Sequence, residues 1–193
     1  TTLQPALDAV VAYDQIWVAA GTYLPTHEFT PGDPRSVSFQ MINGVQIYGG
    51  FDPSLGVTDW LDRDWISNPA ILSGDIGVAG DASDNCYHVF FHYFIDLDNS
   101  AILDGFVISG GNANGYILPH SHGGGMYNDI YNDSPMITNC TFVNNNALIY
   151  GGGMYNGGSS PSLTDCSFET NSASYHGGGM MNSTSTPSIT GCS

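Results

Sequence analysis

The chain has 193 residues, 41% of them hydrophobic, which is enough for one continuous core; it has no lysine, two arginines and 18 acidic residues, for a formal net charge of −16. That field argues against nucleic acid and anionic membrane surfaces as partners. No run approaches the ~18 apolar residues of a membrane helix, so direct membrane insertion is not expected either.

In chain order, Leu3, Ala6, Leu7, Val10 and Val11 follow helical spacing, with Thr2 as a predicted N-cap and Pro5 in the first turn. This short amphipathic helix is expected to cover one open end of the fold, and it leads into an apolar strand over 16–20, so that residues 1–25 form a cap and first strand. Residues 45–48, 69–72 and 87–95 are further strand candidates, rich in β-branched and aromatic residues and separated by Gly- and Asp-rich turns. They fall in an irregular stretch, 26–122.

From Gly123 onward the sequence repeats. Gly-Gly-Gly-Met-Tyr-Asn begins at Gly123 and Gly151, and Gly-Gly-Gly-Met-Met-Asn begins at Gly177. Cys140, Cys166 and Cys192 keep a register of 26 residues, as do Thr138, Thr164 and Thr190; residues 103–113 overlay 137–147 without a gap. Two extra residues between Asn128 and Pro135 mark a loop. Helical repeats need long runs of apolar residues at spacings of three and four, and none exists here. Short alternating pieces broken by Asn, Ser, Gly and Pro read instead as coils of a β-solenoid, six or seven in the whole chain, with identical side chains stacked at ~4.8 Å.

Each column then has a structural reading. Ile137, Leu163 and Ile189, with Met126, Met154 and Met180, fill the core, and Phe142 stacks on Phe168. Asn145 and Asn171 are expected in left-handed turns with laddered amides, and the glycines at corners. The cysteines are expected as buried free thiols, since in-register neighbours point the same way.

Candidate chemistry is sparse. Asp96 and Asp98, if on a strand, would share a face at ~6.5 to 7 Å, a spacing suited to an inverting hydrolase, and Asp62 and Asp64 would do likewise. Asp75, Asp81 and Asp84 in a glycine-rich loop offer oxygens for a structural calcium, the one cofactor candidate, with a solvated turn as the alternative. His122, Tyr150 and His176 share a position before each glycine run, but two coils separate the histidines by ~9.6 Å, too far for one metal, so a loop surface is expected. Tyr127 and Tyr155 should face outward where Met126 and Met154 face in, and with Tyr150 they form a candidate aromatic stripe for ligand binding.

The paired Gly-Gly-Gly-Met-Tyr and Phe-x-x-Asn elements, the latter ending at Asn145 and Asn171, resemble the repeats of the chlamydial polymorphic outer membrane proteins, which are surface adhesins. Residues 16–25, 47–51, 71–75, 87–89 and 103–106 resemble secreted right-handed parallel β-helix repeat proteins of environmental bacteria, particularly Bacteroidetes. The resemblance implies an all-β, right-handed parallel β-helix with a short N-terminal capping α-helix, as one domain over 1–193, with regular coils over 123–193. It implies a secreted or cell-surface protein, and it specifies fold far more than activity.

The expected function is adhesion, or a rigid scaffold presenting a surface to a polysaccharide or surface protein. The alternative is a carbohydrate-active enzyme, a hydrolase or lyase with its site around Asp96 and Asp98 or in coils beyond this sequence. The sequence stops inside a coil just after Cys192, which reads as a fragment of a longer chain and as an open end inviting end-to-end self-association.

Overall fold

The structure, a computed structural model, describes residues 2–55, 59–129 and 134–193. One α-helix, α1 (Gln4–Ala9), starts the chain. The first coil holds β1 (Gln15–Ala19) and β2 (Gly21–Tyr23), and the second β3 (Gln46–Phe51), β4 (Ala70–Ser73) and β5 (Phe90–Tyr93). The third holds β6 (Ile102–Asp104), β7 (Phe106–Ser109), β8 (Asn112–Ala113) and β9 (Met126–Asp129). The fourth holds β10 (Met136–Thr138), β11 (Thr141–Val143), β12 (Asn146–Ala147) and β13 (Met154–Gly157). The fifth holds β14 (Ser162–Thr164), β15 (Ser167–Glu169), β16 (Ser172–Ala173) and β17 (Met180–Ser183), and β18 (Ser188–Thr190) opens a sixth.

Strands that neighbour one another in space are a full coil apart in sequence. The sheets run β1-β3-β6-β10-β14-β18, β2-β4-β7-β11-β15, β5-β9-β13-β17 and β8-β12-β16. Every strand pairing among the described residues is parallel, as β3 with β6 and β13 with β17 show. This is the arrangement of a parallel β-solenoid, with six rungs in its longest sheet.

The register builds the core as columns. Ile16, Ile47, Leu103, Ile137, Leu163 and Ile189 stand one above another, so the aliphatic column read from the repeat runs through all six coils. A second column is Tyr23, Leu72, Ile108, Phe142 and Phe168, whose last two rings stack at 4.8 Å and 6°, worth about 0.5–1.5 kcal/mol beyond area burial. Phe90, Met126, Met154 and Met180 form a third. Cys140 and Cys166 are buried free thiols beside these columns, and Cys192 is half-buried. Two core expectations need correction. Ile189 is 51% exposed and Met180 only partly buried, because no further rung covers them in this structure.

Corners are marked by single residues in the left-handed region. Gly105, Asn139, Asp165 and Gly191 turn the chain out of the longest sheet, and Gly110, Asn144 and Thr170 turn it at the next corner. The left-handed turn is displaced by one residue, to Asn144 (φ 55) and Thr170 (φ 50), while the expected amide ladder is present: Asn145 Nδ2 donates to Asn171 Oδ1 at 3.1 Å, and both side chains also bind backbone. Asn145 Nδ2 donates to Ile108 O at 3.0 Å and Asn171 Nδ2 to Phe142 O at 2.8 Å, reaching carbonyls of the preceding coil.

The triple glycine has two causes. Gly151 has φ +66, whereas a Cβ on Gly152 would lie 2.2 Å from Ser172 O and 2.6 Å from Gly178 O. The first glycine supplies the turn and the second lets backbones of adjacent coils meet.

Leu3 and Leu7 of the helical segment join the core and cover the first coil. The helix is shorter than its apolar spacing suggests. Leu3, not Thr2, occupies the N-cap position without a side-chain bond, and Val11 lies past the helix end, 66% exposed. The loop predicted from the two extra residues before Pro135 falls largely at 130–133, outside the described residues.

Candidate functional site

The outward side of the sheet β5-β9-β13-β17 is aromatic. Along each strand, alternation sends residues 90, 126 and 154 inward and their successors outward, so Phe91, Tyr127 and Tyr155 form one external column. Phe91 and Tyr127 have ring centroids 5.6 Å apart, and Tyr127 and Tyr155 stack at 5.4 Å. Loop side chains close over this column. His88 lies 5.3 Å from Tyr127 and 5.1 Å from Phe91, and His122 meets Tyr155 edge-on at 4.8 Å and Tyr150 at 5.0 Å. Tyr150 continues to His176 at 5.6 Å.

This layering divides the predicted stripe. Tyr127 is 0% exposed and cannot touch a ligand, because His88, Phe91, Tyr93 and Tyr155 surround its ring. His122 is itself buried, which corrects its expected place on a loop surface. Tyr150 and Tyr155 remain half-buried, and Tyr93, Phe94, Tyr175 and His176 are exposed around them.

The face carries little charge. Burial pushes the imidazoles of His120 and His122 down, with Asp129 opposing the shift at His122. Burial raises the Tyr155 phenol, and at Tyr127 burial, together with a 2.6 Å bond from its hydroxyl to Asp129 Oδ2, raises it further. At neutral pH these groups present uncharged rings with the carboxyl group of Asp129 among them. Such a surface stacks on apolar faces and accepts hydrogen bonds; it offers no activated nucleophile.

Comparison with family models, curated proteins and solved structures finds no match to this chain. The site therefore rests on its own geometry.

The other predicted residues do not assemble. Asp96 and Asp98 lie outside any strand, exposed on a loop, with buried Leu97 between them and Asp96 at φ 27. Asp98 Oδ1 accepts from the Ser100 hydroxyl and from Ser100 N at 2.8 Å, and these bonds hold its carboxyl below the usual range, the wrong direction for a general acid. Asp62 ends a 3-10 turn, and Asp64 caps the amides of Ile66 and Ser67 at 3.0 Å each, so this pair is not on a strand either.

Asp75, Asp81 and Asp84 are likewise occupied by backbone. Asp75 accepts from Gly80 N at 2.9 Å, Asp81 from Ser83 N at 2.9 Å and Asp84 from Val78 N at 2.8 Å. Among the described residues no group of three or more His, Cys, Asp or Glu stands in metal-holding geometry, so these three do not form the predicted calcium cage. Asp81 is exposed, whereas Asp84 is half-buried and its Oδ1 has no hydrogen-bond partner.

Sequence reading missed a polar ladder inside the same sheet. Met41 N donates to His92 Nε2 at 3.1 Å, which leaves Nδ1 carrying the proton that bonds Asn128 Oδ1 at 2.7 Å. Asn128 Nδ2 donates to Asn156 Oδ1, and Asn156 Nδ2 to Asn182 Oδ1, each at 2.8 Å. The asparagine after each Gly-Gly-Gly-Met-x was the available signal; His92 had none.

Proposed function

We propose that this chain is a segment of right-handed parallel β-helix that works outside the cell, as an adhesive or scaffolding surface for a polysaccharide or surface protein. Right-handed winding is the rule for crossovers between parallel strands of one sheet, which supports that handedness here. The observation that carries the functional reading is the external aromatic face in which half-buried Tyr150 and Tyr155 are backed by buried Tyr127 and His122. Rings already held by neighbours lose little entropy on binding, and uncharged rings suit a neutral sugar face or an apolar side chain. The loop tip of Tyr116, Ile117 and Leu118, which are 89%, 73% and 58% exposed, adds a second apolar feature of the kind that scaffolds present.

The test is a neutral-glycan array probed with the chain and with a Tyr150→Ala, Tyr155→Ala double variant. Retention on at least one glycan, reduced about tenfold or more in the variant, is the expected result. Equal retention by both proteins, or none by either, would remove the face as a glycan-binding surface.

A further inference from the structure

In the connection from β3 to β4, residues 59–69 pack against the outside of the stack and bring Trp60, Arg63 and Trp65 onto it. The guanidinium of Arg63 is buried, its side chain 4% exposed, and bonds Asp104 through Nη2. Its central carbon lies 4.4 Å from the Trp60 ring, 4.6 Å from Trp65 and 5.3 Å from Tyr48. Asp104 Oδ1 also accepts from Asn139 Nδ2 at 2.9 Å, which ties this cluster to the next coil. A buried cation enclosed by rings fixes the indole of Trp65, since moving it would expose both the charge pair and the aromatic surface.

Trp65, Ile66 and Pro69 form one wall of a cleft of about 290 Å³. Gly105, Phe106 and Val107 of the third coil line it, with Asn139, Thr141 and Asp165 from the fourth and fifth. Gly105 is required there: it has φ +81, and a Cβ would stand 3.0 Å from Trp65 Cβ. Thr141 Oγ1 accepts from Ser167 Oγ at 3.0 Å, which leaves its own hydroxyl proton free to donate. Asn139 gives one amide proton to Asp104 and keeps its oxygen as an acceptor, and Asp165 adds an exposed carboxyl group.

We propose that this cleft is a subsite for one neutral pyranose unit of a polysaccharide. A pyranose has an apolar C–H face that stacks on an indole and a rim of hydroxyls, chiefly donors, which match the acceptors of Asp165 and Asn139. The volume, near the lower end of ligand pockets, suits a single ring. Asp165 and the net charge of −16 disfavour a uronate. The subsite lies apart from the Tyr150 and Tyr155 face and rests on the reading of the chain as glycan-binding, but it has its own readout, the fluorescence of Trp65.

The full chain is titrated with cellotetraose, mannotetraose and trigalacturonate while tryptophan emission is followed, with circular dichroism confirming each variant's fold. A saturable change with a neutral probe, absent in Trp65→Phe, about tenfold weaker in Asp165→Gly and unchanged in the Tyr150→Ala, Tyr155→Ala variant, supports the subsite. Asp165 is exposed and glycine fits its left-handed conformation, as Gly191 does at the same corner, so its variant reports even where Trp65→Phe does not fold. No saturable change with either neutral probe, an unaltered response in Asp165→Gly, or a preference for trigalacturonate overturns it. Array binding that depends on the tyrosines, with a silent Trp65, removes this subsite and leaves the aromatic face standing; a tyrosine-independent array with a responding Trp65 does the reverse.

Discussion

His92 shows how one side chain sets the pH range of a fold. Its ring is buried with Nε2 held by Met41 N and Nδ1 by Asn128, and burial pushes it down to about 4, against 6.5 for a free imidazole, the bond to Asn128 opposing only in part. His88, whose Nδ1 bonds Gly123 O at 2.9 Å, is pushed to about 3 by burial. As pH falls through 6.5 the unfolded chain takes up protons that the folded chain refuses. The stability is therefore complete above about 6.5 and falls toward 4, by about 1.4 kcal/mol per pH unit for each histidine. Melting temperatures between pH 7.5 and 4.5 should decline accordingly. His92→Asn, which keeps a polar group at the head of the amide ladder, should reduce the slope by up to about 1.4 kcal/mol per pH unit; an unchanged slope would place the titration elsewhere.

At the scale of the element, the corners are where sequence and backbone disagree. Thr170 is β-branched and sits at φ 50, while its column neighbour Asn144 occupies the same conformation with the residue best suited to it after glycine. Thr170 Oγ1 donates to Asn144 Oδ1 at 2.6 Å, and an asparagine at 170 can donate from its amide to the same oxygen. Thr170→Asn should raise stability by about 1 kcal/mol in urea unfolding. Gly152→Ala should do the opposite by a larger margin, since its Cβ would meet two carbonyl oxygens within 2.6 Å. The period placed the Phe-x-x-Asn corner to within a residue and missed the corner at Asn139 and Asp165, and which member of Asn144-Asn145 turns and which reaches inward depends on where the preceding coil puts its carbonyls. A one-dimensional pattern does not contain that distance.

At the scale of the whole molecule, stability passes from rung to rung, so an end matters to everything behind it. Leu7 is buried against the first coil, and Leu7→Ala should cost about 2–5 kcal/mol, read as a lower urea midpoint with the cooperative transition preserved. Both arginines have roles that a charge count hides. Arg63 closes the aromatic box, and Arg35 stacks 4.2 Å from Tyr87 while its Nε and Nη2 donate to Asn85 O at 2.6 Å and Asn112 O at 2.9 Å. Each cation holds an insertion of the irregular half against the stack.

The 26-residue register by itself determined the parallel coils, the aliphatic, phenylalanine and methionine columns and the free buried thiols, because in-register stacking makes a sequence period a spatial neighbour relation. Only the tertiary structure decided that Tyr127 and His122 are covered and Tyr150 half-open, that Asp75, Asp81 and Asp84 serve backbone amides and that Trp65 and Asp165 line one cleft. Those outcomes depend on where non-repeating loops fall back on the stack, through contacts between residues such as Arg63 and Asp104 or His88 and Gly123 that no period connects.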